Sequence, residues 1–499
     1  MNAENRYYDL QGERDLFKQN ALKYAAWTLP NKFLDRAEMG ISGEVQHDFQ
    51  SVGAQGTINL AGKIMMTLFH PSRPFFKLSL ENVERKKLLQ QYKSADLDLV
   101  LSRIEKLSLE KLNTGNLREK LEECMILLIM MGDAVLYIDD KGNATVHNLH
   151  TYVREYDTAG KLNRLIIREP LLRHNLPYHI QSRLDEKHAS NDSSSDFIYM
   201  FTEVERIGGT DRYTVTQEIS GIGKINDIDG EYGEDTLPWI NLHWSRTGRE
   251  NYGRGRVEEL AGAFAQLSNV SQTIAELTAL LSDIKGLVNP EGHTSAVDFN
   301  AAESGEYLSG KEGDVTWVTP DIKVQLDSLE IQYERLRREI GAAFLLQSAV
   351  TRDAERVTAE EIRQNANELE TINAGFYSNM SVSLQEPLAR RLIKRVDKNL
   401  DKLKIKVLTG LESLSRFNEV QSWKQLVIDL AEMNNVPPQV LMWIKMGELI
   451  KILAAGYGLE YEKVLKTEEE YQQDVQMQMQ KEQEHNAALE QGKAQAQGQ

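Results

Sequence analysis

Three stretches of the 499-residue sequence hold residues whose types and spacing could do chemistry. Gly53-Ala54-Gln55-Gly56, followed by Gly62-Lys63, offers the small residues and the lysine of a phosphate-cradling loop. Such a loop needs a hydroxyl directly after its lysine to reach a metal ion. Ile64 stands there and the glycine spacing differs, so these residues are read as packing or surface. His147 and His150 are three apart, a spacing that suits zinc on a helix, but they fall at the end of a predicted strand. Asp227, Asp229, Glu231, Glu234 and Asp235 resemble a calcium loop, yet Tyr232 holds the position where that loop turns on glycine. They are read as a solvated acidic turn. There is no Gly-x-Ser-x-Gly elbow, and no nucleophile, base and orienting group assemble from the sequence. The expectation is no catalytic residue, no metal, no cofactor and no enzyme activity.

The single cysteine, Cys124, excludes an intrachain disulfide framework and a cysteine zinc site. It lies in the apolar stretch Leu121–Met131 and is read as a buried, inert thiol of a protein made in a reducing compartment. The start, Met1–Leu10, is polar and lacks the apolar core of a signal peptide. The longest apolar run, Cys124–Met131, is far short of the ~20 residues that span a bilayer. A soluble protein with no membrane anchor is expected. With 41% hydrophobic and 27% charged residues and only 11 prolines, the chain is globular and helix-rich, of about three domains. The formal charge of −17 argues against a protein that grips nucleic acid over its whole surface, because lysine and arginine contacts to phosphates dominate such binding.

The elements that would position these groups are read from hydrophobic period. Residues 1–135 read as helical. Val52, Ile58, Ala61, Ile64, Met65, Leu68 and Phe69 form one stripe at helical spacing, ended by Pro71. Further helices are expected over 82–111 and 115–131. From Ala134 the period shifts to strands at 134–138, 144–149 and 162–168, with 139–143 as the first turn. A helix is expected at 171–187 and a strand meander over 196–228, making a mixed α+β unit of about 250 residues. After Tyr252-Gly253-Arg254-Gly255-Arg256 comes a heptad-like helix: Val257, Leu260, Phe264, Leu267, Val270, Ile274, Leu277, Leu281 and Ile284 recur at three and four. It is expected to end at Gly286, before Asn289-Pro290-Glu291-Gly292, after roughly 45 Å.

A Gly-rich, strand-prone insert at 287–326, holding Tyr307, Trp317 and Val318, leads to a second helix with Leu329, Tyr333, Leu336, Ile340 and Phe344 on one face. The pattern is a two-helix stalk carrying a small β module at its far end. A polar segment, Gln347–Val357, comes next. Thr358-Ala359-Glu360-Glu361 is a capping box. It opens a helix of roughly 60 Å carrying Ile362, Leu369, Ile372, Phe376, Met380, Leu384, Leu388, Leu392 and Val396, which Pro387 should kink. A compact helical unit at 416–456 holds Pro437-Pro438. A Gln-rich end beyond Thr467 has too few apolar residues to bury and is expected as solvated helix or disorder.

Several of these stretches carry a family resemblance. Tyr252-Gly253-Arg254 through Gly286-Leu287-Val288-Asn289-Pro290 is similar to the first stem helix and its exit in portal proteins, the head-to-tail connectors of short-tailed double-stranded-DNA bacteriophages. Gln347-Ser348-Ala349-Val350 and Glu355-Arg356-Val357-Thr358-Ala359-Glu360-Glu361-Ile362 resemble that family's tunnel loop and the start of its spine helix. Thr409-Gly410-Leu411-Glu412 and Gln50-Ser51-Val52-Gly53-Ala54 match as well. The similarity runs over 48–415 and is weakest at 1–45, 180–240 and 467–499.

The resemblance implies a mostly helical α+β chain in a twelve-fold ring. Its parts would be a wing at 1–250, a stem at 251–286 and 327–346, a clip at 287–326, a tunnel loop at 347–357, a spine helix and return to the wing at 358–415, a crown at 416–466 and the polar tail at 467–499. It implies a place at one capsid vertex of the virion, reached from the host cytoplasm. The implied partners are further copies of the chain, double-stranded DNA in the channel, terminase, scaffolding protein, major capsid protein, a tail adaptor and, in some relatives, internal core proteins.

Within such a ring, Leu260, Phe264, Leu267, Ile274, Leu277 and Leu281 are expected to pack between subunits. Gln347, Ser348, Thr351, Arg352 and Arg356 are expected to face the channel. Arg335, Arg337 and Arg338 are read as forming ion pairs between subunits. Two competing readings are weighed: a packaging-motor enzyme, which would need a complete Walker loop and a carboxylate cluster, and a helical adaptor of the virion without a pore.

Overall fold

The computed structural model describes residues 2–34, 47–71, 74–80, 94–176, 180–182, 197–225, 230–282, 285–318, 323–346, 375–396 and 405–408, with a few isolated positions besides. The segments 347–357, 416–466 and 467–499 lie outside these residues, isolated positions apart.

Helix α1 (Ala3–Trp27) starts where the Asn2 side chain accepts from the Asn5 amide at 3.0 Å. Helix α2 (Val52–Leu68) follows the stripe read from the sequence and stops two residues before the His70-Pro71 pair. Leu60, Ala61, Ile64 and Leu68 are fully enclosed, but Ile58 of the same stripe faces out. Residues 77–80, read as helical, instead form strand β1 (Lys77–Leu80). Helices α3 (Ser94–Asn113) and α4 (Leu117–Met131) come next. The second half of α4 is apolar all round, and every residue from Cys124 to Met131 is buried, so it is the central helix of the main core. Burial pushes the Cys124 thiol far up, which keeps it protonated.

Strands β2 (Asp133–Ile138), β3 (Ala144–His147), β4 (Tyr152–Tyr156), β5 (Leu162–Leu172), β6 (Phe197–Arg206), β7 (Arg212–Ile219), β8 (Gly223–Lys224), β9 (Gly230–Gly233) and β10 (Trp239–His243) form two antiparallel sheets. One has the order β10-β2-β3; the other runs β4-β5-β6-β7-β8, with β9 also on β7. The helix expected from 171 does not begin there. Strand β5 runs on through Leu172, paired with Phe197, because β6 offers it an unbroken ladder from Arg164 onward.

The chain then enters the short helix α5 (Arg256–Glu259) and the long α6 (Ala261–Ser282). Strand β11 (Lys285–Val288), helix α7 (Ala296–Ala301), strand β12 (Val315–Val318) and helix α8 (Lys323–Ala343) complete the stalk. The first stalk helix ends at Ser282 rather than Gly286, because residues from Lys285 are taken into a strand. Helix α9 (Phe376–Met380) begins after Gly375 in the left-handed conformation, so no unbroken helix passes through 375; residues 358–374 of the helix expected from 358 lie outside the described residues. A π-helical turn over Ser381–Gln385 leads into α10 (Glu386–Val396). This widened turn lies directly before Pro387, where a kink was expected, and suits a proline that has no amide to donate and whose ring crowds the carbonyl four residues earlier. Strand β13 (Ile405–Leu408) pairs antiparallel with β1.

One buried cluster joins the sheets to the stalk. Helix α4 ends at Gly132, whose φ of 83° only glycine adopts freely and whose amide reaches the carbonyls of Leu127 and Leu128. The next residue, Asp133, is fully enclosed. Its carboxylate accepts from the Tyr152 hydroxyl, the Arg154 guanidinium and, at 2.6 Å, the Gly253 amide. Arg154 is equally buried. It donates from Nε to the Asn251 carbonyl at 2.8 Å and lies 5.1–5.7 Å from the ring centres of Tyr152, Tyr156 and Tyr252. Burial lifts the Asp133 carboxyl above the usual carboxylate range while Arg154, Tyr152 and Gly253 pull it back. The carboxylate in turn helps to hold Arg154 charged against its own desolvation.

Removing one partner of such a pair strands a buried charge. Asp133→Ala should lower unfolding free energy by roughly 3–5 kcal/mol, whereas Asp133→Leu with Arg154→Met should cost far less. Urea titrations of the three proteins measure this, and equal losses would show that the pair is not the coupled unit. Burial also pulls His147 and His243 down to about 4, with Arg154 and Arg246 adding to the effect at His243. Their folded values lie below the unfolded value of about 6.5, so stability is full above that pH and falls as pH drops from about 6.5 towards 4. His147→Gln should flatten part of that fall in the unfolding midpoint; a pH profile unchanged by the substitution would contradict it.

Candidate functional site

The stalk is the part of the molecule that its own core does not explain. Helices α6 and α8 pack along each other. At the end near the body, Phe264 and Leu267 of α6, Leu336 and Ile340 of α8 and Phe344 just after it are buried. Phe264 stacks on Trp27 of α1 with ring centres 6.1 Å apart and meets Phe344 edge-on at 5.9 Å. Phe264 and Leu267 are thus covered by their own chain, which leaves nothing of either side chain for a neighbouring subunit to cover. Leu260, Ile274, Leu277 and Leu281 are only half-buried. Further out, Leu280, Leu287, Val297, Trp317, Val324 and Ile331 are 48–76% exposed.

At the tip, β11 and β12 pair from Lys285 with Val318 to Val288 with Val315. Asp314 organises the turn region between them. Its carboxylate accepts from the His293 amide at 2.9 Å, the Lys311 amide at 3.1 Å and the Thr294 hydroxyl at 3.1 Å. These donors, the Lys311 amide first, hold its pKa below the usual carboxylate range.

Helix α2 seats the stalk on the body. The glycines that suggested a phosphate loop are helical, and Gly53 and Gly56 among them let neighbouring segments approach closely. A Cβ on Gly53 would run into the Trp27 carbonyl and lie 3.0 Å from the Phe264 ring; one on Gly56 would lie 3.0 Å from Phe344. Gln50 bridges the Trp27 carbonyl at 2.6 Å and the Gly53 amide at 2.9 Å, and Asp48 accepts from the Ser268 hydroxyl of α6. Two turns along α2, Asn59 donates to the carbonyls of Phe344 and Leu345 at 3.1 Å, and Lys63 to that of Leu345 at 3.1 Å. Leu345 has a φ of 58°, the one positive value of a non-glycine among the described residues. An L residue with a bulky side chain held there costs about 1–2 kcal/mol.

The channel residues expected from the sequence, Gln347, Ser348, Thr351, Arg352 and Arg356, lie outside the described residues. Arg335, Arg337 and Arg338 are exposed, and Arg337 pairs with Glu334 of its own helix at 3.1 Å. His147 and His150 are both buried, with the His150 ring 4.0 Å from that of Phe33. The acidic turn is tied down by cations: Glu231 lies 3.4 Å from Arg212, Glu234 3.8 Å from Lys161 and Asp235 3.8 Å from Arg390. Among the described residues, no group of three or more histidines, cysteines or carboxylates is placed to hold a metal ion. No described helix is long and apolar enough to cross a membrane. Sequence reasoning missed Asp133, Arg154, Asn59 and Asp314 as organising residues. The one available signal was a carboxylate directly after an apolar helix, at Asp133.

Comparison with known proteins places this geometry in context. The family model described as bacteriophage head to tail connecting protein matches residues 1–465. The portal protein of Escherichia phage T7 is 29% identical over 489 residues, 95% of this chain and 90% of that protein. The portal protein of Enterobacteria phage T3 is 28% identical, covering 94% of this chain and 89% of its own length. That of Pseudomonas phage phiKMV is 29% identical, covering 95% and 94%.

Proposed function

Because the chain belongs to the family of bacteriophage head-to-tail connecting proteins, we propose that it works as a portal protein: a structural component of the virion, not an enzyme, through which DNA enters and leaves the head. In this reading the body up to residue 250 is the wing, α6 and α8 are the stem, the β11–β12 module is the clip, and 416–466 is a crown. Copies of the chain close into a ring, twelve in the reading favoured here. The observation that carries the ring is the half-covered stalk. A helical hairpin that buries its near end and leaves Leu280, Leu287, Val297, Trp317, Val324 and Ile331 largely bare has an apolar surface that another copy can cover.

The charge fits a conduit better than a clamp. Several retained phosphate contacts would make binding strong and steeply salt-dependent. Twelve copies at −17 carry roughly −200 in total, a field that keeps a duplex off the wall and lets it slide. Arg352 and Arg356, with Gln347, Ser348 and Thr351 around them, are the local contacts to DNA in this proposal. Terminase, scaffolding protein, major capsid protein, a tail adaptor and internal core proteins are its proposed partners, with assembly in the host cytoplasm. An adaptor without a pore is the competing reading, and ring formation by the purified protein separates the two.

Leu277 lies on the half-covered seam and Leu267 in the core, so the two probe different things. Leu277→Asp should leave the main unfolding transition in place and abolish rings in electron micrographs. Leu267→Asp should cost several kcal/mol and weaken the fold itself, because it buries an unpaired charge. Intact rings from Leu277→Asp would overturn the seam. Replacing Arg352 and Arg356 together by Gln should leave rings intact but change the length of DNA packaged or retained. Normal packaging and retention of a full genome by that variant would remove both arginines from the channel role.

A further inference from the structure

The last turn of α8 stops where its local sequence gives no reason to stop. Ile340-Gly341-Ala342-Ala343-Phe344-Leu345-Leu346 contains no proline, and no glycine or asparagine at the point where the helix stops. Alanine and leucine are strong helix formers, so nothing in the chain itself ends the helix at Ala343. Helices that stop by local signals do so on a glycine that takes the left-handed conformation cheaply. Here a leucine is held in it, with its side chain buried and its amide on the Ala342 carbonyl at 3.1 Å.

The stop is imposed from elsewhere. Gly56, Asn59 and Lys63 lie on one face of α2, three and seven residues apart. Gly56 gives Phe344 room to sit against the helix. Asn59 takes the Phe344 and Leu345 carbonyls together, and Lys63 takes Leu345 as well. Two of the carbonyls that a longer helix would turn towards its own later amides are thereby claimed by side chains of another helix.

We propose that Asn59 and Lys63 are positioning residues that set where α8 ends, and that without them the helix runs on through Leu345. The end point fixes the direction of the outgoing chain, because each added helical residue turns it by about 100° and advances it by about 1.5 Å. This rests on the proposed function only for its importance: the segment so aimed is the one that carries Arg352 and Arg356. The residues of α2 thus do separate jobs, Gly53 admitting α6 and Asn59 with Lys63 terminating α8.

The test is amide exchange at Leu346 in the purified full-length chain, measured by NMR or fragment-resolved mass spectrometry. Asn59→Leu with Lys63→Met should slow exchange at Leu346 by about tenfold, one added backbone hydrogen bond's worth. Adding Leu345→Gly, which makes the left-handed turn inexpensive again, should restore the parental rate. Unchanged or faster exchange in the double variant, or no reversal by glycine, overturns the proposal. Should the double variant fail to fold, Lys63→Met alone with and without Leu345→Gly gives the same comparison at smaller amplitude, and no difference between those two is equally fatal. Electron micrographs of the same samples show whether rings form. A loss of rings in the parent protein would sink the portal reading while leaving the exchange result to decide the helix end.

Discussion

The Asp133 carboxylate is the constraint around which the described structure is arranged. Removing an ion from water costs several kcal/mol even inside a real protein, and the attraction of one partner seldom repays it unless every remaining lone pair is satisfied. Asp133 is fully enclosed and draws its donors from separate places: Tyr152 and Arg154 on β4, and the Gly253 amide just before the stalk. None of these can move without leaving a buried polar group bare. The register of β4, the loop at 251–253 and the end of α4 are therefore set together. Gly132 and Gly253 lie backbone to backbone at this point, where a Cβ on Gly253 would strike the Gly132 carbonyl. The root of the stalk is thus tied into the body through this buried carboxylate.

Helix α2 does for the inner side of the stalk what Asp133 does for its root. Its small residues admit α6 and the chain after α8 at close range, and Asn59 and Lys63 take the carbonyls of Phe344 and Leu345 just past the end of α8. Covering is complete there and falls away outward, so the same heptad-like helix is core at Phe264 and Leu267 and half-open at Ile274, Leu277 and Leu281. In the proposed ring, such a seam would pass from packing within the chain at its inner end to packing between copies further out.

Much of this was legible in the residues. The apolar stripe of α2, the α4 helix, the turn at 139–143 and the two-helix stalk around a strand-prone insert all come from hydrophobic period and turn chemistry. What was not legible depends on long-range pairing. Lys77–Leu80 has too short an alternation to declare itself a strand, and becomes one because Ile405–Leu408 lies beside it. Trp239–His243 likewise gains its identity from β2. By period alone the stripe from Val257 to Ile284 is one helix and one seam. Period cannot tell a residue covered by Trp27 from one left open, since both are apolar at the same spacing. Gly53, Gly56 and Lys63 were visible but misleading as chemistry: the glycines mark close helix crossings, and the lysine terminates a neighbour rather than meeting a phosphate. Family resemblance singled out the Tyr252-Gly253-Arg254 run, while a structural reason for it emerged only from the buried carboxylate that the Gly253 amide satisfies.

The antiparallel pairing of β1 with β13 has a consequence for synthesis. Lys77 meets Leu408, so this two-stranded ladder cannot form until most of the chain has been translated. At about 5–20 residues per second, the ribosome needs on the order of 20–60 s between the two strands. For that interval Lys77–Leu80 lacks its partner, and once the stalk has emerged its bare leucines and tryptophan face other nascent chains as well. Contacts so distant in sequence also make the last folding step slow. Copies that meet before this pairing forms are therefore more exposed to aggregation than copies that meet after it.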